Sequence, residues 1–438
     1  MSVPSRNCDN ASRHQPEPQT VDWYAGIAVV TQPSGMSITR HRNVFILGLA
    51  QLLAWGSTYY LPAMLALPMA RELGLSNGLG FAAFSWALIV SALLGPVAGW
   101  ASDRYGARAV LMAASALLTA ALALLSQADG VLNLFAAWSL IGAGMAAGLY
   151  EGAFAAAVQF YGRDARGPIT GITLLGGLAS TVAWPLSAWL EAHMGWRQTC
   201  LVWAAVHLLL NLPMYGLLKK PGPSARVDEP RPQTPLPVGT PGEGNTDPPA
   251  LLNAKQQQRA ALLLALIFAL TWFVSTAMAA HLPRLLQLQG IDLATALLLG
   301  SLIGPAQVAG RLLEYTVLRH QHPLLSARLA GAMHPVGAAL LLLLGAPAGA
   351  VFVALHGLGN GVLTIAKGVL PLVLFGPQGY ALRQGLLMVP ARFAQALAPL
   401  AFALVLDHGG AHALWLSAGL GLLCLLALML LPSPPRSD

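Results

Sequence analysis

The sequence predicts an all-α membrane protein of twelve transmembrane helices arranged as two six-helix halves, and three observations predict it. Apolar residues fill 56% of the 438 positions and charged residues only 9%, far below the roughly 25% charge of an ordinary globular domain. The mean hydropathy is +0.61, so the chain has too few charged side chains to cover a water-soluble surface. The apolar residues also gather in runs of about 20, the length that crosses a ~30 Å hydrocarbon core as a helix.

Six runs come first, at residues 44–67, 80–101, 109–125, 131–160, 168–190 and 199–218. Six more follow at 260–280, 293–313, 329–344, 350–374, 386–406 and 413–431. The fourth is longer than a bilayer needs and the ninth is short. Between the two sets lies a proline-rich stretch with no apolar periodicity, which cannot bury enough surface to fold and reads as a cytoplasmic linker. The expected organisation is a polar, disordered extension over 1–43, a bundle over 44–218, the linker over 219–258, a second bundle over 259–431 and a short cytoplasmic tail over 432–438. No charged segment leads into a signal-peptide core. Met36, followed by Ser-Ile-Thr-Arg-His-Arg and the first run, reads as an alternative start of translation.

The formal charge is +7, yet the basic residues sit in short loops, so a membrane surface rather than nucleic acid accounts for them. With both termini in the cytoplasm, only Arg71, Arg197 and Arg284 of the 24 Lys and Arg fall in outer loops. Lys367 and Arg392 lie within runs, and the rest, including Arg163, Arg166, Arg311, Arg319 and Arg328, fall inside. This is the asymmetry of a multi-pass inner (plasma) membrane protein. Cys8, Cys200 and Cys424 are isolated, and no phosphate-binding loop, His-Glu-x-x-His or Gly-x-Ser-x-Gly string occurs. Neither an enzyme nor a cofactor or metal is expected.

The two halves carry traces of duplication. Gly95-Pro96-Val-Ala-Gly99-Trp-Ala-Ser-Asp103 after the second run is echoed by Gly304-Pro305-Ala-Gln-Val-Ala-Gly310-Arg-Leu-Leu-Glu314 after the eighth. Gly171 with Pro185 matches Gly385 with Pro399, and Glu151-Gly152 matches Lys367-Gly368, at a nearly constant offset.

The most specific string is Gly99-Trp-Ala-Ser-Asp103-Arg104-Tyr-Gly106-Ala-Arg108. Its glycines permit close helix approach and a tight turn. Asp103 stands where it can accept from a neighbouring helix N-terminus, and Arg104 and Arg108 hold the loop on the cytoplasmic side. The string resembles the Gly-x-x-x-Asp-Arg-x-Gly-x-Arg signature loop of the major facilitator superfamily, and the halves, the linker and the weaker copy with Gly310 and Glu314 are similar to it too. The resemblance implies two six-helix bundles rocking about a central cavity, in a protein that is usually a monomer. By position, Asp103 would latch the halves on the inner side; the plainer alternative is that it and its arginines only set topology. Trp138 stands where the drug–proton antiporters of that superfamily carry an arginine, and their helix-5 antiporter motif is missing, which disfavours drug antiport.

Ionisable groups deep in a bilayer cost roughly 2.5–3.5 kcal/mol each on insertion scales, so each marks a functional site by default. Glu151, Lys367 and Arg392 qualify, at about 15, 12 and 10 Å from the inner face at 1.5 Å per residue. Glu151 and Lys367 occupy matching places in the repeats, so a salt bridge between the halves is expected there, either as a gate or as a permanent buried pair. Arg392 is then left without a deep acidic partner. Two cations against one anion leave the cavity positive, which favours an anionic substrate, although Arg392 reaching to the interface is an alternative. Glu151, the one deep carboxylate, is the candidate proton carrier.

Trp55 and Tyr59 share a helix face suited to lining a cavity, and His356 and Asn360 do so on the tenth run. Gln307 and Gln395 are divided between lining the path and joining helices, whereas His281 and His334 read as structural. The reading is a transporter working by alternating access on a small organic anion, coupled to protons or uncoupled. The alternatives are an efflux pump for drugs or toxic compounds and, in another class, a non-transporting membrane sensor.

Overall fold

The computed structural model describes residues 38–219 and 253–432. The expectations for residues 1–37, for the body of the linker and for the last residues of the tail lie outside the described residues. All regular structure among the described residues is helical.

The first run is a jointed pair, α1 (Ile38–Ser57) and α2 (Pro62–Glu72). Pro62 opens α2, a position where its missing N–H costs nothing. α1 begins ahead of the expected residue 44, because Asn43 is anchored: its amide donates to the Lys219 carbonyl at 2.8 Å and to Tyr161 Oη at 3.1 Å. Next come α3 (Asn77–Tyr105) and α4 (Ala107–Ser126), separated only by Gly106 at φ 92°. The over-long fourth run is two helices, α5 (Val131–Gly148) and α6 (Tyr150–Tyr161), with Leu149 at ψ −162° breaking the ladder. The Gly148 carbonyl accepts from Gln51 Nε2 at 2.8 Å. The break places Glu151 in the first turn of α6, where the helix dipole favours a carboxylate.

The first half closes with α7 (Arg166–Gly176), α8 (Ala179–Val206), which turns sharply at Gly195, and the short α9 (Leu212–Gly216). The second half opens with α10 (Ala254–Leu288), which also starts ahead of its expected position because Asn253 and Gln256 form a reciprocal cap. α11 (Leu293–Ser301) and α12 (Ile303–Thr316) follow, then α13 (Pro323–Leu344), whose 22 residues make the ninth run full length. α14 (Gly349–Phe375), α15 (Tyr380–Gly409) and α16 (Ala413–Met429) complete the chain.

Nine stretches among the described residues are apolar and long enough to cross a membrane. Two are too long for one crossing: Val131–Gly216 has 86 residues and Tyr380–Met429 has 50, about 130 and 75 Å of helix. Glycines with positive φ interrupt both, at Gly162, Gly195 and Gly410.

Packing follows the same division. One apolar core draws on α1 to α8 and gathers a few residues of α14 and α15, among them Val369 and Ala381. Two further cores, around Phe268 and Leu428 and around Phe352 and Phe402, come wholly from the second half. Gly142 packs on the Ala87 backbone and Gly361 on the Gln307 backbone, the same kind of close crossing in each half. Leu132, Leu209, Leu343, Leu400 and Trp415 point outward while polar groups such as Gln51, Arg311 and Gln395 are buried. That is the arrangement lipid, not water, selects.

Candidate functional site

The signature string puts Asp103 in the last turn of α3. Its carboxylate reaches into the other half and accepts the backbone N–H groups of Ala381 at 3.2 Å and Leu382 at 2.8 Å, at the start of α15. These are N–H groups that a helix N-terminus leaves without intrahelical partners. Gly99 is needed for the approach, since a Cβ there would collide with the Ala381 carbonyl. Arg108 donates to the Gly216 carbonyl at 2.6 Å, inside its own half, and Arg104 is exposed.

The second copy also joins the halves, through an ion pair. Gly310 lies against the Leu358 backbone, and Glu314 in α12 is buried and paired with Arg166 at 2.6 Å. Arg166 opens α7 and also donates to the carbonyls of Leu318 and Gln321. Each half therefore extends an acid from the end of one helix to the start of the helix that carries the matching glycine, Gly385 or Gly171, in the other half. The sequence singled out both acids; it placed Arg166 only as a loop cation.

Further in, the expected Glu151–Lys367 pair is absent. Glu151 is held by Arg392, whose Nη2 lies 3.0 and 3.2 Å from its two oxygens. Arg392 Nη1 donates to Gln395 Oε1 at 3.0 Å, and the arginine is 3% exposed. Arg392 thus has the deep acidic partner it was expected to lack. α15 starts at Tyr380 rather than residue 386, which carries Arg392 about 18 Å in at 1.5 Å per residue, deep enough to reach Glu151, while Lys367 is turned onto the Trp272 ring. A cleft with about 250 Å³ of empty volume, lined by Ser91, Gly95, Gly385 and Met388, adjoins the pair.

Lys367 instead lies over the Trp272 ring, its Nζ 4.2 Å from the centroid. No carboxylate is within ion-pair distance of it among the described residues. Buried cations seated on indole faces draw on the ring quadrupole, and this one does so without an anion.

Arg311 was expected in a cytoplasmic loop; it is buried in α12 at 3% exposure. Among the described residues its Nε and Nη1 have no hydrogen-bond partner, and Nη2 has only a long 3.4 Å contact with Gln307 Oε1. The guanidinium lies against Gly177 of the other half, where any Cβ would collide with it. The usable signal was periodicity: Gln307, Arg311 and Glu314 fall on one face of a helix that runs on to Thr316.

Aromatic rings wall this region. Trp55 of α1 and Trp272 of α10 lie nearly parallel, 6.2 Å between centroids and 8° between planes. Tyr59 and Tyr150 pack on Trp55 at 5.1 and 5.0 Å. Both indole Nε1 groups are buried with no acceptor. Trp55 and Tyr59 therefore stand at the central cluster, whereas Trp272 had not been singled out. His356 and Asn360 face instead into the second half, with His334, Ser275 and Cys424.

Comparison with known proteins agrees with this architecture. A protein of Thermoproteus tenax described as an uncharacterized 38 kDa protein in the 23S RNA operon is 30% identical over 370 residues, 82% of this chain and 88% of its own. Three solved structures share the fold at low identity. The proton:xylose symporter XylE has TM-score 0.68 at 14% identity, over 90% of this chain and 96% of its own. The human organic anion transporter MFSD10 has TM-score 0.65 at 19%, over 89% and 99%. FucP in the outward conformation has TM-score 0.67 at 12%, over 89% and 98%. The family model of the Major Facilitator Superfamily matches residues 47–366, and with the paired signature contacts in place the chain belongs to that superfamily.

Proposed function

We propose that this transporter moves a small organic anion, with a carboxylate as the recognised group, by alternating access through twelve crossings with both ends in the cytoplasm of an inner membrane. The observation that carries the reading is the charge balance of the central cluster. Arg311, Lys367 and Arg392 are buried there, and Glu151 is committed to Arg392. A buried cation with unmet donors costs several kcal/mol, and an anion arriving in the cavity removes that cost. A guanidinium with two free donors offers a bidentate fork for a carboxylate, and the Trp55 and Trp272 indoles supply further donors. That MFSD10 is an organic anion transporter supports the reading by fold analogy alone.

In this reading the Asp103 and Glu314 contacts latch the inner side, and Glu151–Arg392 forms a deeper bolt between the halves. The aromatic walls also favour a second reading, efflux of a planar lipophilic compound.

A thermal-shift screen of the purified protein against small carboxylates, cationic drugs and neutral sugars separates the two. A carboxylate at 100 times its dissociation constant adds about 2.7 kcal/mol of stability. Stabilisation by cationic drugs alone overturns the anion reading.

A further inference from the structure

Inside the second half, away from the Glu151 cluster, two imidazoles face each other. His334 Nδ1 and His356 Nδ1 are 2.9 Å apart, on α13 and α14, and both rings are more than nine-tenths buried. At that distance one Nδ1–H donates to the lone pair of the other. The ring that donates keeps its proton on Nδ1, so its own Nε2 is left with a bare lone pair. His334 Nε2 is buried and has no hydrogen-bond partner.

The pair opens onto a small cavity with about 390 Å³ of empty volume, lined also by Thr271, Ser275, Asn360 and Cys424. Glycines make the room: a Cβ on Gly421 would press at 3.0 Å on the His334 ring and on Pro335. The wall is mainly apolar, and one unmet imidazole nitrogen among the few polar groups gives an entering water a partner there.

We propose that His334 and His356 form a proton-binding site inside the second half, and that this site rather than Glu151 carries the proton coupled to anion movement. The coupling part rests on the anion-transport reading above. The step adds one N–H bond: a proton from water joins the free Nε2 of the donating imidazole, and the net charge rises by one. The Nδ1–H···Nδ1 bond then becomes charge-assisted and shares the cation between two rings. The titratable groups facing the cavity are His334 from α13, His356 from α14 and Cys424 from α16, while α10 contributes only the neutral Thr271 and Ser275. Lys367 stands eleven residues further along α14 than His356.

α10 links the cavity to the central cluster. Asn360 Nδ2 donates to Ser275 Oγ at 2.9 Å, tying α14 to α10, and Ser275 is one turn from Trp272 on the same helix face. A positive charge on the pair adds to the field of Lys367 and Arg311, so proton and anion binding strengthen each other, and by linkage the effect is reciprocal.

Two measurements test the site. In protein labelled with ¹⁵N-histidine, held in nanodiscs and titrated from about pH 8 to about pH 3, the pair is expected to take up a single proton, with two imidazoles responding together. His334→Gln and His356→Gln should each remove the joint response. Two rings that stay neutral across the range, or that titrate independently, overturn the proton site whether or not a carboxylate is transported. In proteoliposomes, acid outside should speed carboxylate uptake, and His356→Gln should abolish that acceleration while exchange without a gradient persists. Acceleration that survives in both histidine variants overturns the coupling role. If no carboxylate moves at all, the anion-transport reading fails and the ¹⁵N titration still decides the proton site.

Discussion

Arg392 of α15 grips both carboxylate oxygens of Glu151 on α6, at 3.0 and 3.2 Å, from the opposite half of the molecule. Removing either partner leaves an uncompensated buried charge, which typically costs 3–5 kcal/mol. Glu151→Gln and Arg392→Gln should therefore each loosen the inner closure. The exchanged double variant, Glu151→Arg with Arg392→Glu, should recover part of the loss in a double-mutant cycle of stability. Strictly additive single effects would show that the pair does not join the halves energetically.

Asp103 caps the start of α15 from across the interface. Loss of a helix cap costs about 1 kcal/mol, enough to shift a two-state equilibrium roughly fivefold. Asp103→Ala should raise the accessibility of cysteines introduced on the inner faces of α3 and α15, with the fold intact by circular dichroism. Unchanged labelling rates would remove the latch.

Gly177 leaves the space that the Arg311 guanidinium fills. Gly177→Val should displace that side chain and weaken anion binding by about tenfold or more, since an ionic hydrogen bond contributes roughly 1.5–3 kcal/mol. The melting temperature of the unliganded protein should move much less than the binding constant. Equal affinity in the variant would show that Arg311 does not need its present position.

The signature string, the weaker copy at Gly310 and Glu314 and the aromatic face of Trp55 and Tyr59 were legible because each rests on spacing within one segment. Glu151 was also legible, as a charge in an apolar run. Its partner was not: the repeat suggested Lys367, whereas packing seats Lys367 on Trp272 and brings Arg392, deeper than expected because α15 begins at Tyr380, onto the carboxylate. Arg311 escaped notice for a related reason. It was counted with the inner loop cations because it stands two residues from the end of the eighth run, but α12 continues through Glu314 to Thr316. His334 and His356 lie on different helices, and only packing places their Nδ1 atoms 2.9 Å apart.

Calorimetric titration of the carboxylate found by the screen, on wild type and on Arg311→Gln, asks whether Arg311 holds the anion. The dissociation constant should rise at least about tenfold in the variant, from loss of one charged hydrogen-bonding partner, with melting temperature preserved or increased because an unpaired buried cation is gone. An unchanged dissociation constant in a folded Arg311→Gln protein would contradict that role.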